Sequence, residues 1–314
     1  MNFSETVKSE ILNKQIKDKH CKKAFLAGIV RGTGELYEKD GEIGLDIRVT
    51  SEENAMLVGS FVRSLFNYDI REIFVSEDHL NKRDKIILSI AGEKGLEILK
   101  DLEIIVEQGE EFTVNLNPFG KNTERECCVK SFLRGLFVAV GSCTLPTVAD
   151  NSTTGYHLEI VFSHYTPALL VSQKLAEYNI QSKITSRREN YILYIKSAEG
   201  IKDFIAFLPA PVSVLKLTDL MINREIVNNS NRRKNCDLGN VNKQIEAAAK
   251  QIEAINKIEN KLGIDALKED LRATALARKQ NVDETLSELA ERLNVSKSCL
   301  NHRLRKIVSI ADEL

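Results

Sequence analysis

The sequence predicts an α+β chain in two parts. A duplicated N-terminal domain of two pseudo-symmetric helix-and-strand halves comes first, and an all-α domain carrying a helix-turn-helix follows. Three observations point there. The stretch FLAGIVRGTGEL (25–36) is echoed by FLRGLFVAVGSC (132–143), with Phe25, Leu26, Gly28 and Gly34 matching Phe132, Leu133, Gly135 and Gly141 at one constant offset. Pro209 and Pro211 close the second copy, and the net charge changes sign beyond them. Last, TLSELAERLNVSKSCLNHRLRKI (285–307) holds two short amphipathic helical patterns around a turn.

Residues 1–20 form an N-terminal helical segment. Its helix is predicted over 4–17, with Ser4 as N-cap and Val7, Ile11 and Leu12 on one face. Residues 21–211 are the duplicated domain, with halves at about 21–106 and 125–211. Within each opening helix the small residues stand at i and i+4, Gly28 with Gly32 and Gly135 with Ala139. That spacing puts them on one face, where two backbones can approach closely. The first copy then runs helix, strand, helix, strand, strand, helix. Leu45, Ile47 and Val49 alternate with polar residues as a half-buried strand does, and Ser51 caps the following helix. A polar passage, 107–124, links the copies. In the second copy Tyr156, Leu158, Ile160 and Phe162 alternate in the same way, followed by a helix over 165–178 and a hairpin around Arg188 to Asn190. A repeat unit this long is a duplicated half-domain rather than a solenoid turn.

Beyond the prolines, 212–243 reads as a basic, Asn-rich linker whose Arg232 and Arg233 suit phosphate contacts. The helical domain proper is 244–314. Leu238, Val241, Ile245, Ala248, Ile252, Ile255, Ile258 and Leu262 step by three and four, a scaffold helix that Gly263 ends. The formal net charge of −1 divides into −4 over residues 1–211 and +3 over 212–314. The basic part is therefore where nucleic acid is expected, because phosphate neutralisation requires Lys and Arg.

Within the helix-turn-helix (about 274–308), Leu286, Leu289, Ala290 and Leu293 face a core. Asn294 stands where the turn needs left-handed backbone. Val295 plugs the turn, and Ser296 caps the second helix, whose inner face is Leu300, Leu304 and Ile307. A small residue is required at Ala290, where the helices of such a pair cross. The outer face carries Lys297, Ser298, Asn301, His302 and Arg305. Asn301, His302 and Arg305 are the base-edge candidates, and Lys297, Ser298 and Arg303 the phosphate candidates, with Ser296 completing the set.

The paired helices resemble the LAGLIDADG homing-endonuclease motif, which carries one catalytic acid at the C-terminal end of each helix. Those positions hold Thr33 and Val140 here. Neither supplies the anionic oxygen that Mg²⁺ requires. Glu35 lies nearby and has only Ser142 as counterpart. No catalytic residue is expected, and the chain is expected to leave DNA uncut. The six cysteines have no C-x-x-C spacing and the five histidines are scattered, so no metal ligand set, cofactor or disulfide framework is expected. No apolar run reaches the roughly 20 residues that span a bilayer, and MNFSETVKSE is not a signal peptide. A cytoplasmic, nucleoid-associated chain with reduced thiols is expected.

SKSCLNHRLRKI resembles the signature of the WhiA family. The resemblance extends over FSETVKSEIL, both FL-x-G helices, YHLEI, NRRKN and the terminal helices. The chain departs from the signature at Cys299, where Gly is common. The resemblance implies double-stranded DNA as partner, transcriptional control, and a part in cell division, chromosome segregation or sporulation, without nuclease activity. A further partner, another regulator or the transcription machinery, is expected on the acidic N-terminal domain. The alternative reading is a protein-interaction platform that the C-terminal domain localises to DNA.

Overall fold

The computed structural model describes residues 2–39, 42–70, 72–76, 85–109, 111–146 and 155–314. The chain divides into two compact units, Met1–Arg224 and Glu225–Leu314.

Helix α1 (Phe3–Asn13) opens the first unit. Its cap is Asn2 rather than Ser4: the Asn2 side chain accepts the Glu5 N–H at 2.8 Å, and the Glu5 carboxylate accepts the Asn2 N–H at 3.0 Å. This reciprocal pair satisfies two donors at once, which a lone serine cannot do. Ser4 lies inside the first turn and accepts the Cys143 N–H at 3.2 Å. The helix also stops four residues before the predicted 17.

The first copy is α2 (Lys19–Thr33), β1 (Gly34–Lys39), β2 (Glu42–Val49), α3 (Glu52–Phe66), β3 (Glu72–Ser76), β4 (Lys85–Ile90) and α4 (Gly92–Asp101). A hairpin, β5 (Ile105–Gln108) and β6 (Glu111–Val114), overlaps the passage read from the sequence as a polar link. The second copy is α5 (Glu126–Val140), β7 (Gly141–Thr144), β8 (His157–Phe162), α6 (Tyr165–Glu177), β9 (Lys183–Arg187), β10 (Asn190–Ile195) and α7 (Ala198–Phe207). The two sheets share one antiparallel topology, β1-β2-β4-β3 and β7-β8-β10-β9. The sequence reading has one strand fewer per copy. It omits β1 and β7, which leave their helices without an intervening loop because Gly34 and Gly141 turn directly into extended backbone.

Helices α2 and α5 pack against each other through their backbones. A methyl group at Gly28 would overlap the Phe132 carbonyl oxygen and lie 2.8 Å from the Leu136 nitrogen. At Gly135 it would overlap the Phe25 carbonyl oxygen. The two contacts are related by the pseudo-two-fold, as the sequence predicts. Around this axis Phe25, Leu26, Ile29, Phe132, Leu133, Leu136 and Phe137 are buried, with the inner faces of both sheets.

Two arginines, Arg134 buried and Arg31 half-buried, are invisible to periodicity and tie this core to the loops around it. Arg134 donates to the carbonyls of Ile11 and Lys14 at 2.9 and 2.7 Å, closing the end of α1. Arg31 donates to the carbonyls of Asn115, Glu103 and Asn117 at 2.7, 2.8 and 2.8 Å. Burial pulls Arg31 down to about 10 against the opposing pull of Glu103. Charge-assisted bonds to three carbonyls hold it protonated.

The Asn-rich stretch read as a linker is helical throughout, as part of α8 (Pro211–Leu262). Pro211 takes the first position, where a missing N–H costs nothing, and the Glu10 carboxylate accepts the Val212 and Ser213 N–H groups at 2.7 and 2.9 Å. Asparagine is at most about 0.7 kcal/mol per residue poorer than alanine in a helix. Packed segments at each end, Leu217 in the first unit and Ala254, Ile255 and Ile258 in the second, sustain it. The scaffold stripe is buried only in that last part, while Leu238, Val241 and Ile245 are exposed. Gly263 ends the helix with φ of 80°.

All six cysteines are free thiols. Along the chain they are scattered, yet the α2–α5 contact brings His20, Cys21, Cys127 and Cys128 together. Spacing along a chain does not report such a grouping, because two packed helices assemble it. No helix among the described residues is long and apolar enough to cross a membrane.

Candidate nucleic-acid interface

The second unit completes with α9 (Glu269–Gln280), α10 (Leu286–Arg292) and α11 (Lys297–Asp312) around a core of Leu271, Ala275, Leu289, Ala290, Leu300, Leu304 and Ile307. Each junction is fixed by local chemistry. Thr285 caps α10 in a capping box with Glu288, whose carboxylate accepts the Thr285 N–H at 2.8 Å. At the other end Asn294 has φ of 50°. Its N–H reaches the Glu291 carbonyl at 3.0 Å, and the Val295 N–H reaches the Ala290 carbonyl at 3.0 Å. That paired pattern is a Schellman turn, which needs a residue at ease in left-handed backbone. Ser296 then caps α11, accepting the Cys299 N–H at 3.2 Å. Left-handed turn, plug and cap all fall where the sequence places them.

Asn294→Gly should therefore melt within a degree or two of the parent, while Asn294→Val should lose roughly 1 kcal/mol, because β-branching resists positive φ. Thermal denaturation of the two variants side by side checks this. Equal melting temperatures would misplace the turn.

A second set of contacts, missed from the sequence, braces the approach to α10. Arg278 is buried, and its guanidinium donates to the Glu284 carbonyl at 2.8 Å. Burial lowers its pKa, while the Glu284 charge opposes that shift. Glu284 is also paired with Arg292, whose Nε donates at 3.1 Å. The hydrogen bond from Arg292 holds the Glu284 carboxyl below its ordinary range. The signal available in sequence was only that Arg278 falls on the buried stripe of α9, three residues after Ala275 and four after Thr274.

The predicted DNA-contacting residues are distributed as follows. Ser296, Lys297, Ser298, His302 and Arg305 are exposed, and Asn301 is half-buried on the same helix. Arg303 is half-buried and turned inward to Asp270, with Nε 3.7 Å from its carboxylate. It is held within the domain, so as a phosphate contact it would have to leave that partner. Lys306, which the sequence reading did not single out, is exposed beside Arg305. Arg232 and Arg233 are exposed on α8, a different helix from the other seven. From Lys297 to Ala311 α11 carries no acidic residue.

Three family models match consecutive parts of the chain. They are described as the WhiA N-terminal LAGLIDADG-like domain (residues 19–105), the WhiA LAGLIDADG-like domain (129–227) and the WhiA C-terminal HTH domain (230–311). A protein of Bacillus pumilus named "Probable cell division protein WhiA" is 33% identical over 319 residues, covering 100% of this chain and 97% of that protein. One of the same name from Bacillus cytotoxicus is 34% identical over 317 residues with the same coverage. Among solved structures, full-length DUF199/WhiA from Thermatoga maritima matches with a TM-score of 0.58 at 25% identity, covering 100% of this chain and 99% of that one. Two LAGLIDADG-like halves followed by a helix-turn-helix, matched from end to end in sequence and in structure, make this chain a member of the WhiA family.

Proposed function

We propose that the chain is a sequence-specific, double-stranded-DNA-binding regulator of transcription that serves cell division, chromosome segregation or sporulation, and that it is not a nuclease. The observation that carries this is the solvent face of α11. It is a pre-capped helix presenting Lys297, Ser298, Asn301, His302 and Arg305 with no carboxylate among them. Lys and Arg suit phosphates and guanine edges, and Asn suits adenine. The names of the relatives support a role in cell division. The ends of the paired helices support the absence of nuclease chemistry. Thr33 donates its hydroxyl back to the Ile29 carbonyl at 3.3 Å, Val140 has no ligand atom, and Glu35 is paired with Arg48. The acidic N-terminal unit leaves a protein partner there as the complementary role.

The test separates base readout from phosphate contact. Arg305→Ala should lower discrimination between a selected site and random duplex by about 1–3 kcal/mol. Lys297→Ala should weaken all duplexes alike and reduce the slope of log affinity against log salt by about 1. Fluorescence anisotropy at four salt concentrations measures both. The same response from the two variants would remove α11 from sequence readout.

A further inference from the structure

The four side chains gathered at the start of the paired helices have the geometry of a metal centre. His20 and Cys21 lie in the first turn of α2, Cys127 and Cys128 in the first turn of α5, and all four ligand atoms fall within 4.8 Å of one another. His20 Nδ1 is 3.2 Å from Cys128 Sγ, 3.3 Å from Cys21 Sγ and 4.0 Å from Cys127 Sγ. A zinc ion with Zn–S near 2.3 Å and Zn–N near 2.0–2.1 Å sets tetrahedral N···S edges of about 3.6 Å. The three observed N···S distances bracket that value. The sulfur pairs, all within 4.8 Å, need to close by no more than about 1 Å to reach the tetrahedral S···S edge of roughly 3.8 Å that the same Zn–S length sets. The repeat produces the arrangement. Gly28 and Gly135 are equivalent, and the same offset makes His20 equivalent to Cys127 and Cys21 to Cys128. Each half thus supplies two adjacent ligands from one helical turn.

We propose that His20, Cys21, Cys127 and Cys128 form a structural Cys₃His site for a soft divalent cation, zinc foremost, which clamps the N-terminal ends of the two halves together. Thiolate with imidazole in a tetrahedral set selects zinc over magnesium or calcium. Four protein ligands leave no open position, so the site is structural and not catalytic. Cys21 and Cys128 are buried and Cys127 is exposed, giving the ion one edge at solvent. The charge is provided for as well. Three thiols release three protons on binding, and the resulting complex of one Zn²⁺, three thiolates and neutral imidazole carries −1. Two helix N-termini face it, Ser131 hydrogen-bonds Cys21, and the Arg134 guanidinium interacts with the same sulfur. A bound cation deprotonates its coordinating thiols outright.

The experiment uses the untagged full chain, purified under reducing conditions, stripped with a chelator and titrated with Co²⁺ and then Zn²⁺. One Co²⁺ per chain should bind with the visible bands of tetrahedral cobalt and a near-ultraviolet thiolate-to-cobalt transition, both bleached by one equivalent of Zn²⁺. The melting temperature should rise on loading. Cys127→Ser, at the exposed ligand, should keep the circular dichroism of the parent, shift the visible bands and weaken zinc retention by more than about tenfold. His20→Ala should remove the imidazole contribution in the same way. The proposal is overturned if cobalt gives no tetrahedral spectrum, if the bands are the same in folded Cys127→Ser and His20→Ala, or if the fully reduced chain takes up no metal.

Discussion

Gly135→Val prevents the N-terminal unit from folding. The added Cβ overlaps the Phe25 carbonyl oxygen and sits 3.0 Å from the carbonyl carbon and 3.2 Å from the Ile29 nitrogen. These are backbone atoms inside a helix, and they cannot rotate away as a side chain can. Relief requires separating α2 from α5, which opens the core that holds Phe25, Leu26, Ile29, Phe132 and Leu136. The expected cost exceeds about 4 kcal/mol, the range reserved for severe overpacking, against a total stability of roughly 5–15 kcal/mol for a domain. Gly28→Val should do the same, because the pseudo-two-fold puts it against Phe132 and Leu136. Gly59→Ala is the control. A Cβ at that position of α3 meets nothing within 4 Å, so it should gain up to about 1 kcal/mol of helix propensity. Urea denaturation followed by circular dichroism reads all three variants. A cooperative transition for Gly135→Val near that of the parent would mean that the helices do not meet at these glycines.

The second large effect is on DNA. Replacing Asn301, His302 and Arg305 together by alanine should abolish selective binding, with the best site of the parent falling to the level of random duplex, a loss on the order of 10³-fold. Three base contacts at about 1–3 kcal/mol each account for that magnitude. The residues lie outside the core formed by Leu300, Leu304 and Ile307, so the fold should be retained. The site is first selected from a random pool with the parent, and the variant is then compared by gel shift. In parallel, Arg232→Ala with Arg233→Ala should weaken binding to every duplex and leave preference unchanged, lowering the salt slope by about 2. Retained selectivity in the triple variant would move base readout away from α11.

The duplicated domain and the turn of the helix-turn-helix were legible because each has a local cause. Gly28 and Gly135 announce backbone contact by their spacing, and Asn294 with Ser296 announces a left-handed turn followed by a cap. The cap of α1 was misread since Ser4 and Asn2 are both good caps, and only the Glu5 partner decides between them. Strands β1 and β7 were missed because no loop separates them from their helices. The continuity of α8 was hidden by Asn-rich composition, which weighs little against packing at both ends. Arg31, Arg134 and Arg278 were silent for a different reason. Each is defined by carbonyls that the fold delivers, from as far away in sequence as Ile11 is from Arg134. The four-ligand cluster is the extreme case. Only the repeat offset relates His20-Cys21 to Cys127-Cys128, and the packing of α2 against α5 is what turns that relation into a contact.

The backbone contact between α2 and α5 also governs how the chain acquires its structure as it is made. Sheet β1-β2-β4-β3 is complete in sequence by Ile90, but the buried face of α2 has no cover until α5 has been synthesised through Val140. Until then Phe25, Leu26 and Ile29 have only half a core. The first half must leave the ribosome and wait, exposed or chaperoned, for the second. Contacts of such sequence separation close slowly, and unfinished apolar faces invite association with the wrong partner. Duplication has therefore made the two halves one folding unit, in which neither reaches its final form before the other exists.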